Sequence, residues 1–303
     1  MSVVRALSYI TPLREGGSLP GLMEADDLGT YVVKFHGAGQ GPNALVAEVI
    51  AAELAGALGL DVPRWVPIEL SGKLAPAEPD EEVQHLLRAS AGLNLGIDFL
   101  PGALDVGARP VVSAELAGRI VWFDALIGNT DRSWRNPNMM LWHRRLYVID
   151  HGAALVFHHS WSPDRPDQVQ RFAMTPYAVT DHALIECEPD VPAADARAAA
   201  LDWPAVITAA VSAVPEDWLG DRMGDPEQTR AAYAAFLQAR IDARGEWVPA
   251  LVADVERGAA RDSVGRRVSG RASSGPPEWI SELRIGRDRE AATGLEGDRG
   301  GAT

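Results

Sequence analysis

Apolar and polar positions change rhythm several times along this chain, and each change marks an element. A short extended run around Tyr9 gives way to a glycine-rich turn, Glu15-Gly16-Gly17-Ser18-Leu19-Pro20-Gly21, and then to the strand-like segment Thr30–Phe35. An apolar stretch from Asn43 to Leu58 predicts a helix with Asn43 as N-cap and Gly59 as its stop. Trp65 to Leu70 has the aromatic and β-branched content of a strand. A sheet with one helix, residues 1–70, is what a small nucleotide-covering lobe requires.

The rhythm fades over residues 71–112, which are expected to form a connector. SGKLAPAEPD is acidic and proline-rich, Glu81 to Ala89 is a short helical segment, and GLNLGIDFLPGAL follows. Helical spacing returns from Ser113 to Ile127, where Leu116, Ile120, Phe123 and Ile127 share one face. Its C-terminal end delivers a polar loop, after which two apolar runs, NMMLW and LYVID, are joined as a hairpin at Arg144-Arg145. Beyond Gly152 the pattern is mainly helical. Asp225-Pro226-Glu227 is a strong helix start, Ala231 to Arg244 continues it, and Trp203, Trp218 and Trp247 are expected in or near the core. Residues 113–256 thus read as a helical lobe. From about Arg257 glycine, serine and arginine dominate, so residues 257–303 are expected to be disordered. The fold class is α+β in two lobes.

Composition narrows the class. With 303 residues the chain can bury a full core, and 47% hydrophobic with 23% charged residues is ordinary for a soluble globular protein. A net charge of −14 argues against nonspecific nucleic-acid binding, which needs clustered Lys and Arg. The N-terminus lacks a signal-peptide pattern, and the longest apolar tract, Ala44 to Leu60, carries Glu48 and Glu53 and is too short to span a bilayer. A cytoplasmic protein without a membrane partner is expected. The single cysteine, Cys187, reads as a small buried hydrophobe. His151, His158 and His159 cluster without a Cys pair or H-E-x-x-H spacing, so no zinc site is expected.

The chemistry concentrates in Gly128 to Gly152, GNTDRSWRNPNMMLWHRRLYVIDHG. Asp131 and Asn136 stand five apart in the loop, and the hairpin ends on Asp150. Phosphoryl transfer needs one carboxylate to take the acceptor's hydroxyl proton, and a second carboxylate with an amide oxygen to hold Mg²⁺ against nucleotide phosphates. Asp131 fits the base, with Asn136 and Asp150 as metal ligands. Asp and Asn also serve as turn residues, but the loop, the hairpin and the terminal Asp-His-Gly occur here in order. Asp124, seven residues before Asp131, reads as a helix-surface or loop-supporting acid.

Lys34 gains weight from composition, because among 28 basic residues only Lys34 and Lys73 are lysine. A compact ammonium in an apolar strand suits a reach between phosphates while paired to a glutamate. Glu48 and Glu53 are the candidates, and Glu48, in the first half of its helix, is favoured. Gly16, Gly17 and Ser18 are candidates for backbone approach to phosphates, and Glu69 on the strand Trp65–Leu70 is grouped with them as nucleotide-binding.

Through EGGSLPG, YVVKFHGAGQGPNALVAE, LGLDVP, NTDRSWRNPNMML and YVIDHGAAL the chain resembles the HipA-like kinases over roughly residues 10 to 160. The resemblance implies a bilobal protein-kinase-like fold, bacterial in distribution, that uses ATP and Mg²⁺ and phosphorylates a serine or threonine of a protein substrate. Lys34 would hold phosphates, Glu48 would position it, Asp131 would be the base, and Asn136 with Asp150 would bind metal. HipA itself is a toxin that is controlled by autophosphorylation of a phosphate-loop serine, and Ser18 occupies a similar place. The chain looks like a short form without HipA's N-terminal subdomain, which leaves target and antitoxin partner undefined. Two departures stand out: His151 replaces the Phe of an Asp-Phe-Gly signature, and Ser133 stands where related loops carry His. Asn138, directly before the strand, competes with Asn136 for the amide role. A small-molecule kinase, a nucleotide-binding pseudokinase, and a metal-dependent hydrolase that leaves Lys34 and Glu48 unexplained are the competing readings.

Overall fold

The computed structural model describes residues 2–13, 19–107, 110–165, 167–220 and 224–269. Strands β1 (Val4–Pro12), β2 (Gly21–Ala25) and β3 (Thr30–Lys34) run antiparallel, and helix α1 (Pro42–Ala57) leads to β4 (Trp65–Leu70). After α2 (Glu81–Ala89), β5 (Gly92–Asp98) enters between β3 and β4. A short parallel pairing of Val4 with Ile68 and Arg5 with Glu69 closes the barrel in the order β1-β2-β3-β5-β4.

Strand β5 moves the lobe boundary. It falls inside the segment expected to be a connector, because GLNLGID has two glycines and Ile97 as its only β-branched residue. Pairing on both edges, not propensity, makes it a strand. Gly96 permits the fit, since a Cβ there would lie 3.1 Å from Val66 Cγ2. The small lobe therefore runs to Asp98, and the chain crosses to the large lobe after β5 rather than after β4.

Helix α1 begins one residue before the expected Asn43 cap. Gly41, at φ 64°, is the N-cap and Pro42 takes the first turn, where its missing N–H is no loss. Gly59, at φ 71°, lies just beyond its end in the left-handed conformation that favours glycine. The helix is buried along most of its length because it lies between the barrel and the large lobe. Trp218 of the large lobe donates to the β5 carbonyl of Leu93 at 2.9 Å, which ties the two lobes behind it.

A hairpin of β7 (Met139–Trp142) and β8 (Arg145–Val148) is joined by β6 (Leu104–Asp105) into a second small sheet. Its turn is His143-Arg144, one residue earlier than expected, with both residues at positive φ, 47° and 64°, as a tight two-residue hairpin demands. The large lobe is built on α3 (Ala114–Ile127), α4 (Gln168–Met174), α5 (Val191–Ala198), α6 (Trp203–Ala213), α7 (Pro226–Asp242) and α8 (Arg244–Ser269). Trp122 of α3 packs against Trp203 and Trp247 with ring centroids 5.8 and 5.5 Å away, and Trp218 is buried as well. Asp225 and Gln228 form a reciprocal capping box at the start of α7.

Helix α8 continues to Ser269 although disorder is expected from Arg257. Alanine and arginine are good helix formers, and a helix already nucleated needs only to propagate. Residues 270–303 lie outside the described residues. Cys187 is half-buried rather than buried, and its Sγ–H donates to the Pro110 carbonyl at 3.1 Å. Among the described residues no helix is long and apolar enough to cross a membrane.

One close approach in α3 is directly testable. A Cβ on Gly118 would sit 2.2 Å from the Asp190 carbonyl oxygen and 2.5 Å from its carbon, both backbone atoms that hold the start of α5. Gly118→Ala is expected to destabilise the protein by about 1–3 kcal/mol through overpacking, read as a lower urea midpoint. An unchanged midpoint would show that α5 yields freely.

Candidate functional site

Three distant segments converge on Lys34. The last residue of β3 points Lys34 Nζ at Glu48 Oε1 on α1 and, at 2.6 Å, at Asp150 Oδ1 just beyond β8. Burial alone would lower the lysine pKa, but the two carboxylates outweigh it and hold it well above its ordinary value. Burial likewise pushes Glu48 up, while Lys34 and the neighbouring His151 bring it well below the usual carboxylate range. Both partners therefore stay charged at neutral pH. Asp150 is about half exposed, at 47%, so it is the face of this cluster that meets solvent. Its backbone takes φ 55°, a left-handed conformation unfavourable for a non-glycine residue and characteristic of functional positions.

The loop after α3 builds the second half of the site. Gly128 ends that helix at φ 65°, and Asn129 then bonds back to Asp124 through both its backbone N–H and its side-chain amide, each at 2.9 Å. Asn129 Oδ1 in turn accepts the backbone N–H of Asp131 at 3.1 Å. The carboxylate of Asp131 accepts two amides on one oxygen, Asn136 Nδ2 and Asn138 Nδ2 each lying 3.0 Å from Oδ2. No hydrogen bond among the described residues engages Asp131 Oδ1.

A buried ion pair holds this loop from beneath. Arg132 and Asp124 are both fully buried, with Nε to Oδ2 at 2.6 Å and Nη2 to Oδ1 at 3.3 Å. His182 Nε2 lies 3.0 Å from Asp124 Oδ2. Arg132 Nη1 then reaches forward to the Asn138 carbonyl, which also accepts Ile149 N–H at 3.0 Å. Asp124 is thus joined through Arg132 to the residue beside β7 and, across the hairpin, to the approach to Asp150.

A model of the HipA-like kinase family matches residues 7–240. The chain belongs to the HipA-like kinase family. Among solved structures, the Helicobacter pylori proinflammatory kinase CtkA matches with a TM-score of 0.50 at 11% identity, covering 82% of this chain and 96% of that one. A Golgi casein kinase matches at TM-score 0.40 and 13% identity, over 89% of this chain and 72% of that one. No curated protein matches. Family membership makes this chain a protein-kinase-like phosphotransferase, and the likeness to CtkA agrees with the expected bilobal fold.

Within this HipA-like kinase, the structure joins Lys34, Glu48 and Asp150 directly, and Asp131 with Asn136. Glu53, the alternative to Glu48, is turned away and accepts the Trp65 indole N–H at 3.0 Å. Glu69 is not brought to the cluster: it is exposed on β4, in register with Arg5 and Leu93, and no described hydrogen bond or ion pair links it to Lys34. Gly16, Gly17 and Ser18 lie outside the described residues. Asn138 competes well with Asn136, since its backbone bonds the residue preceding Asp150 while Asn136 is exposed.

The donor set suits Mg²⁺. Asp150 Oδ2 and the amide oxygens of Asn136 and Asn138 enter no hydrogen bond among the described residues, and all are hard oxygens. Among those residues no group of three or more His, Cys, Asp or Glu side chains is placed to hold a metal ion. Mg²⁺ does not ask for that, because it keeps waters and uses one or two carboxylates beside substrate phosphates. The sequence reading missed Arg132 and His182. Arg132 follows Asp131 directly, but its partner lies a helix turn back in α3, and His182 is 58 residues from Asp124.

Proposed function

We propose that this kinase transfers a phosphoryl group from Mg-ATP to a serine or threonine hydroxyl of a protein acceptor. The observation that carries the reading is the meeting of Lys34, Glu48 and Asp150 from three separate segments, beside a loop that presents one unengaged oxygen of Asp131. Lys34 brings a compact positive charge to the phosphates, and Glu48 fixes its direction. Asp131 takes the acceptor's hydroxyl proton on Oδ1, while the two asparagine amides on Oδ2 keep the carboxylate from rotating. Mg²⁺, when bound, would be held by Asp150 with the amide oxygen of Asn136 or Asn138, and supplies neutralisation of phosphate charge.

Intact-protein mass after incubation with Mg-ATP tests the reading. Added phosphate on the wild type but not on Asp131→Ala is the expected result, and mapping the site examines Ser18. ATP consumption only with a small-molecule acceptor, or ATP binding with no turnover at all, would replace the protein-kinase reading. Asp150→Asn is expected to raise the Mg²⁺ concentration needed for half-maximal ATP binding by about tenfold or more, the scale on which metal-site changes alter affinity. An unchanged Mg²⁺ dependence would remove Asp150 from the metal site.

A further inference from the structure

His151 sits between Asp150 and Gly152, and packing alone does not account for it. The ring is 2% exposed and meets Phe123 edge-on, with centroids 5.5 Å apart. An apolar ring would fill that space equally well. Instead Nδ1 lies 3.6 Å from Glu48 Oε2, the oxygen that Lys34 does not use. Nε2 is buried with no hydrogen-bond partner, and the residue borders a small cavity lined also by Ala52, Trp65, Leu95 and Val148. Burying an unpaired ring nitrogen is unfavourable, so the imidazole must gain elsewhere. Glu48 is where that gain lies.

The two flanking residues face the same pair. Asp150 binds Lys34, and a Cβ on Gly152 would stand 3.3 Å from Glu48 Oε1 and 3.5 Å from the Ala44 Cβ. Glycine therefore lets α1 approach the turn closely enough for His151 to face the glutamate.

We propose that His151 is a positioning residue whose Nδ1 edge attracts the second oxygen of Glu48 across 3.6 Å, longer than a hydrogen bond, so that the Asp-His-Gly turn steadies the carboxylate that orients Lys34. The proposal rests on the phosphotransfer reading of Lys34, Glu48 and Asp150. It makes the histidine a polar link between the expected metal-binding turn and helix α1.

A double-mutant cycle with Glu48→Met tests it, read in both turnover and Mg-ATP affinity. His151→Phe keeps the ring and loses the donor, whereas His151→Asn keeps a donor near Nδ1 and loses the ring. His151→Phe is expected to lower kcat about tenfold and His151→Asn to restore most of it, within the coupling range of residues in contact. In the Glu48→Met background His151→Phe should add nothing. Wild-type activity in His151→Phe, equal impairment in His151→Asn, or full multiplication of the two losses would overturn the proposal. If the wild type itself transfers no phosphate, the phosphotransfer reading fails. The affinity cycle still decides His151: weaker Mg-ATP binding in His151→Phe that disappears beside Glu48→Met upholds the link, and an unchanged or independent effect ends it.

Discussion

Replacing Asp131 with alanine is expected to slow phosphoryl transfer by on the order of 10²–10⁴, the usual contribution of a positioned general base, while Mg-ATP affinity stays near the wild-type value. The division follows from geometry. Asp131 spends Oδ2 on Asn136 and Asn138 and makes no described contact with Lys34, Glu48 or Asp150, so it reaches the nucleotide end of the site only through those two asparagines. Asp131→Asn sharpens the test, because the amide matches the carboxylate in shape but cannot accept the hydroxyl proton. It should be nearly as slow as alanine. Asparagine with close to wild-type turnover would mean that Asp131 only shapes the loop, and loss of ATP affinity in both variants would mean that the loop supports the nucleotide side after all. Single-turnover kinetics beside calorimetric ATP binding separates these results.

What could be read from the sequence was local chemistry in unusual company. Lys34 stood out because this chain uses arginine at every basic position except Lys34 and Lys73, and its burial between two carboxylates supplies the physical reason, a point charge on a flexible stem. Asp131, Asn136 and Asp150 could be nominated from the sequence because a polar loop and a short hairpin follow one another directly. Glu48 was separable from Glu53 only by its place on the helix, and the structure engages Glu53 with Trp65 instead. Contacts made by distant pairs were not legible. β5 is a strand because two neighbours pair with it, so a glycine-rich segment looked like a connector. His182 reaches Asp124 through the fold, and no periodicity marks it. The same holds for His151 and Glu48, whose meeting depends on how closely Gly152 lets α1 approach.

Asp124→Asn is expected to destabilise the protein by about 3–5 kcal/mol at neutral pH, because it leaves the fully buried Arg132 without its counter-charge. Asp124 accepts bonds from Arg132, Asn129 and His182, with no exposure to solvent. Burial alone would raise its pKa, but Arg132 and the His182 bond outweigh this and hold the carboxyl well below the usual range. The sign with pH follows. An unfolded aspartate takes up its proton near a pKa of about 3.9 and the folded one only at lower pH, so this stabilisation is fully present above about pH 4 and is lost as pH falls toward the depressed folded value. The gap between wild type and Asp124→Asn in urea midpoint should be constant near neutrality and shrink below about pH 4. A gap that does not narrow in acid would place the loss in packing rather than in charge. Replacing both members, Asp124→Leu with Arg132→Met, should recover only part of the stability, since an apolar pair avoids the burial of charge but leaves the buried Asn129 amide and His182 without their acceptor. It should not recover transfer, because Arg132 also holds the Asn138 carbonyl, and Asn138 in turn holds Asp131. A double variant that folds but transfers phosphate slowly would separate the two tasks of this network, and one as active as the wild type would confine it to stability.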